Sequence, residues 1–191
     1  MGDTTTADRD LTPLGSRWRA VGRHLAYGLG LVPASAGELV AVAVSGPAGG
    51  VDAARRHLAC RGTPWPGAGR VDGPRVVVHG LVGVVVGLVW WWLAWMALLA
   101  VARGPFYGLV VPGPYDDAWG GPGLAGAWAV HAGVGVVSVL VIAVLGEALG
   151  ALYVRLTEHL LGGRRRAWVV PVTVLVVGGA SVLVAAWVRQ I

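Results

Sequence analysis

The chain has 191 residues, 55% of them hydrophobic and 13% charged, with a formal net charge of +5. A soluble domain of this size carries about 25% charged residues, so the composition excludes a fully water-wetted surface and calls for lipid cover. The basic residues are all arginine and flank apolar runs, a pattern of membrane orientation and not of nucleic-acid binding. With Cys60 as the single cysteine, no intramolecular disulfide can form.

The N-terminal segment is polar, with Asp3, Asp8 and Asp10. It lacks the basic start and apolar core of a secretory signal, so residues 1–16 are expected to be a disordered tail. Residues 25–46 follow as a weak apolar region, interrupted by Gly28, Gly30, Pro33, Ser35, Gly37 and Glu38. Residues 76–102, 124–145 and 167–188 are stronger. Each reaches the roughly 20 apolar residues that cross a bilayer as a helix, and Pro171 falls near the start of the last, where a missing N–H does little harm.

Arginine placement orients these segments. Arg9, Arg17, Arg19 and Arg23 precede the weak region, and Arg55, Arg56, Arg61, Arg70 and Arg75 follow it. The loop after residue 102 holds Arg103 beside Asp116 and Asp117, and the next holds Arg155, Arg164, Arg165 and Arg166. If residues 25–46 enter and return, every arginine-rich segment is cytoplasmic and the acidic loop is outside. The expected fold class is therefore all-α and membrane-embedded: three transmembrane helices, a re-entrant or weak N-terminal hairpin, and two interfacial amphipathic helices. The expected setting is the cell membrane, multi-pass, with a cytoplasmic N-terminus. The interfacial helices are residues 51–61, with Val51, Ala54 and Leu58 on one face, and 149–161, with Leu149, Leu152, Leu156 and Leu160.

The runs WGGPGLAGAWAVH (residues 119–131) and ALYVRLTEHLLGG (residues 151–163) resemble the sensor-domain family of actinobacterial membrane proteins. In that family two membrane hairpins each lead into an amphipathic, arginine-rich helix, often as the input half of a sensor histidine kinase and sometimes as a stand-alone protein. The resemblance covers residues 17–163 and implies a sensor role without a ligand chemistry. Two departures stand out: residues 27–62 have room for about one span where the family has two, and residues 167–188 are an addition. No phosphoacceptor helix or Gly-rich ATP-binding domain follows. The implied division is a tail (1–16), a sensor-like membrane domain (17–163) and an additional transmembrane helix (164–191).

Gly80, Gly83 and Gly87 fall on one arc of the second apolar segment and invite close helix packing. Trp90, Trp91, Trp92 and Trp95 are dense enough for an interfacial belt. His131 lies beneath the outer loop on a stripe with Trp128, and an ionisable group at such depth is a functional hypothesis. Together with Asp116, Asp117 and Trp119 it forms the candidate sensing site, and an imidazole titrating near pH 6.5 suits a pH or cation signal. A relay from His131 to Glu147 fails, because the two lie roughly 24 Å apart along a helix. His57 and Cys60 are too few for a structural zinc. No serine has an obvious base beside it, and no nucleotide motif is present, so no catalytic, metal or cofactor-binding residues are expected. The expected function is non-enzymatic and sensor-like, relaying an envelope signal. The alternative is a structural or assembly subunit of a membrane complex or transporter. Expected partners are the lipid bilayer and a membrane protein or a second copy, with no nucleic acid.

Overall fold

A computed structural model describes residues 7–67 and 71–190, apart from the side chains of residues 7–14 and 17. The described residues form helices and loops without a strand. The helices are α1 (Ala7–Leu29), α2 (Leu31–Cys60), α3 (Gly73–Arg103), α4 (Tyr107–Val110), α5 (Leu124–Leu160) and α6 (Val169–Val188). Four of them, α2, α3, α5 and α6, are long and apolar enough to cross a membrane. The chain is thus an all-α, multi-pass membrane protein by length and composition of its helices. It divides into two compact units, Met1–Gly87 with Gly150–Gly178, and Leu88–Leu149 with Gly179–Ile191.

In the first unit, α2 is two helices folded back on each other. Gly46 sits at φ 73° and ψ −173° inside it, a backbone that residues with a side chain rarely adopt. Pro47 then opens the second arm, where its missing N–H is harmless. Each arm has roughly 15 residues, about 22 Å. The reversal is visible in contacts that one straight helix could not make. The rings of Tyr27 and His57 stack at 4.5 Å, and a Cβ on Gly50 would strike Val42 and Val76. The weak apolar region is therefore one arm of a hairpin, and the arginine-rich flanks meet at its open end, where Gly62 approaches Arg23. The tip does not stand clear of every arginine, since Pro47 lies against Gly73, two residues before Arg75.

The first arm runs antiparallel to the start of α3 along the glycine arc. A Cβ on Gly80 would meet Leu39; on Gly83, Ser35 and Tyr153; on Gly87, Val32 and Leu31. A core of Ala54, Val76 and Leu161 closes the other side, with Trp65 and Val71 packed around it.

Two sequence expectations change here. Helix α1 starts at Ala7, inside the segment expected to be a disordered tail; residues 1–6 lie outside the described residues. Leu11, Leu14, Trp18, Val21, Leu25 and Leu29 recur at helical spacing, a periodicity that continues the helix through polar sequence. The two amphipathic stretches are also not separate interfacial helices. Residues 51–60 are the hairpin's second arm and 149–160 the last turns of α5. Their stripes, Ala54 and Leu58, and Leu149, Leu152 and Leu156, are buried within the protein.

The second unit is built where α3 and α5 approach at small residues. Gly104 and Gly135 meet backbone to backbone, and Trp90 packs its ring on Gly146. Of the four clustered tryptophans Trp90 is buried, whereas Trp91 and Trp95 are half exposed.

Candidate functional site

The most polar place in the first unit is also among the most buried. Glu38 from the hairpin's first arm, His79 from α3 and Thr157 from α5 are each 2% exposed. His79 Nδ1 lies 2.8 Å from Glu38 Oε1 and 3.0 Å from Oε2. On its other edge, His79 Nε2 lies 2.9 Å from Thr157 Oγ1. Tyr153 adds a ring stacked at 4.8 Å on the imidazole and a hydroxyl that donates to the His79 carbonyl at 3.2 Å. Gly83 makes this possible: any larger residue there would displace the Ser35 and Tyr153 hydroxyls.

Hydrogen-bond accounting favours one proton count. The single O–H of Thr157 is committed to the Tyr153 carbonyl, at 2.9 Å. Thr157 can therefore only accept from the imidazole, so Nε2 carries a hydrogen. Nδ1 faces both carboxylate oxygens. Either Nδ1–H donates to a carboxylate, or a carboxyl O–H donates to Nδ1. In both arrangements one proton lies between Glu38 and His79, and the cluster is neutral overall. Removing that proton leaves a carboxylate facing a lone pair; adding one leaves an uncompensated cation. Both are costly in a site this deeply buried.

Beside the pair lies a small cavity of about 10 Å³, lined by Tyr27, Ser35, His57 and Tyr153 among others. That is near the lower limit for one water and leaves no room for an organic substrate. His57 Nε2 has no hydrogen-bond partner, while its ring stacks on Tyr27 at 4.5 Å. His57 also lines an open groove on the hairpin's outer side, with Arg56 and Cys60. It therefore stands between the cavity and the surface. Burial pushes the Tyr27 hydroxyl's pKa well above its ordinary value, against the opposing Arg61 guanidinium, so Tyr27 is a neutral wall. Among the described residues, no three His, Cys, Asp or Glu side chains converge as metal ligands.

The residues that sequence singled out beneath the outer loop lie in the second unit. His131 stacks on Tyr107 at 3.8 Å, and its Nδ1 meets the Ala127 carbonyl at 2.7 Å. Trp128 Nε1–H donates to the Pro105 carbonyl at 2.8 Å. These bonds pin α5 to the turn after α3. Asp116, Asp117 and Trp119 are exposed, and the depression beside Trp128 is lined by apolar residues including Phe106, Leu109 and Leu124, with no carboxylate or imidazole. The structure thus joins His131 and Trp128 to the loop's first turn but brings neither to the two carboxylates.

Neither Glu38 nor His79 stands out in the sequence as a site. The available signal is that both are ionisable, of opposite sign, and set in apolar segments that must each find a partner. No protein-family model, curated protein or solved structure matches this chain.

Proposed function

We propose that this chain is a non-enzymatic, sensor-like membrane protein that relays an envelope signal to a membrane partner, with the Glu38–His79 pair as its switch. The observation that carries the reading is the pair itself, an acid and a base buried in membrane-type helices, beside a cavity too small for an organic substrate and neutral at only one proton count. Such a pair is a two-state element. Changing its proton count leaves a buried charge, and relief comes from parting the hairpin from α3 and α5. The run 151–163, half of the resemblance to sensor domains, supplies Tyr153 and Thr157 to the cluster. In this reading the protein lies in the cell membrane with its arginine-rich ends cytoplasmic.

Spin labels at Val44 and Val78, exposed on the hairpin and on α3, report the separation of the two elements. In full-length protein in nanodiscs their distance should change with pH, and the change should vanish in the double variant Glu38→Gln/His79→Gln. A pH-invariant distance in the parent protein would sink the switch. The second reading, a structural or assembly subunit, draws on Gly178 and Gly179 of α6, whose Cα positions face open space and leave room for a neighbouring helix. Crosslinking from α6 followed by pull-down separates the two: a kinase or response regulator favours sensing, and a permease favours the subunit.

A further inference from the structure

We propose that α1 is an in-plane helix whose outer face docks on the anionic lipid surface of the membrane that the chain crosses. Trp18, Val21, Leu25 and Leu29 are 72%, 48%, 48% and 43% exposed. At about 100° per residue they fall within an arc of about 80° and run along about 17 Å of the helix. Tyr27 lies about 160° from the middle of that arc, is 1% exposed and stacks on His57. The helix thus rests on the protein by its back and turns its apolar stripe outward.

The charge around the stripe says what covers it. Residues 15–29 carry three arginines and no acid, and Arg19 and Arg23 are exposed. A second copy packed stripe to stripe would bring these like charges together, whereas an anionic surface attracts them all. A helix is about 10 Å across, so arginines on its flank and back stay within about a Debye length of the lipid charge.

The setting supplies the lipid. Only Gly30 separates α1 from α2, so the stripe leads directly into a membrane-type helix. Trp18 is its most exposed member, and indole favours the boundary between headgroups and acyl chains. An amphipathic helix with a basic polar face lies in that plane, its apolar side about 5–10 Å deep. The stripe of Leu149, Leu152 and Leu156 is used up within the protein; that of α1 is not.

Nitroxides on V21C, L25C and S16C test this, each in full-length protein with Cys60 replaced by serine and held as single copies in nanodiscs. Ser16 is exposed and lies on the back of the helix, opposite the stripe. Labels at 21 and 25 should be relaxed by oxygen, which dissolves in lipid, and shielded from a nickel chelate, which does not. The label at 16 should show the reverse. Equal access of the chelate at all three positions overturns the docking, and shielding of 21 and 25 from both reagents overturns the lipid and assigns the face to protein. L25Q should shift docking, read at V21C, towards water by at least about tenfold, the effect of one leucine left outside an apolar phase. On that weakened background, phosphatidylglycerol in place of phosphatidylcholine should restore docking by about fivefold for each of Arg19 and Arg23, and R19Q/R23Q should lose the response. Equal docking of L25Q in the two lipids removes the anionic surface as the partner.

Discussion

Removing either half of the Glu38–His79 pair should have unequal consequences. In Glu38→Gln the amide can donate to Nδ1 while Nε2–H still bonds Thr157, so the imidazole is neutral and every partner is kept. A loss of about 1 kcal/mol is expected, the scale of one imperfect hydrogen bond. In His79→Gln the carboxylate at position 38 keeps its charge and loses its partner, in a site 2% exposed. Breaking a buried pair this way costs about 3–5 kcal/mol. For a domain of this size that lowers Tm by about 6–20 °C, at about 2–4 °C per kcal/mol. The double variant removes the stranded charge and should recover part of the loss, giving a coupling of about 2–3 kcal/mol. Unfolding of the four proteins in one detergent at neutral pH measures the cycle. Equal losses for the single variants, or additivity within about 0.5 kcal/mol, would refute the pairing.

Three further outcomes are expected. Gly83→Leu should destabilise by at least the 1–3 kcal/mol typical of overpacking, because its side chain enters the space of the Ser35 and Tyr153 hydroxyls; Leu81→Ala, at a half-exposed position, should stay within about 0.5 kcal/mol in the same melts. With Cys60 replaced by serine, single cysteines at positions 19 and 56 should react alike with an impermeant maleimide, both protected in intact cells, while position 117 is labelled; opposite labelling of 19 and 56 would mean that α2 crosses the membrane. Asp116→Asn/Asp117→Asn should leave any pH response of partner association unchanged, since both carboxylates are exposed, whereas Glu38→Gln should abolish it; the reverse result would return the sensing role to the outer loop.

The spans were legible because their signal is cumulative. Residues 76–102 and 124–145 each contain enough apolar side chains that no single polar residue reverses the reading, and α3 and α5 cover both segments. The hairpin was legible only in part: arginine counting favoured a return within residues 25–46, whereas those residues form one arm, Gly46–Pro47 the turn and the stretch read as an interfacial helix the other arm. What the amphipathic stripes would bury was not legible. A row such as Leu149, Leu152 and Leu156 has the same periodicity whether it meets lipid or a protein neighbour, and here it meets the protein. Helix α1 is masked in the sequence because Asp3, Asp8 and Asp10 give its start the composition of a polar tail, although the apolar spacing from Leu11 to Leu29 is helical.

The buried site was hidden for a different reason. Glu38 and His79 are 41 positions apart, and each on its own reads as a flaw in an apolar segment: Glu38 weakens the hairpin as a span, and His79 is the polar exception at the start of α3. The rule that membrane-type helices do not leave an ionisable side chain unpartnered turns two flaws into one constraint. His131 satisfies that rule locally, through a carbonyl one turn away on its own helix and a tyrosine ring, and so makes no demand on distant sequence. Glu38 has no such local partner, and a carboxylate needs hydrogen-bond donors. The glycine arc on α3 already implied an approaching helix, and an arm whose Ser35 and Leu39 face Gly83 and Gly80 must carry Glu38 past His79. Close packing at Gly83 and proton sharing at His79 are therefore one feature, so a variant that fills Gly83 should disturb the proton count of the pair as well as the stability of the fold.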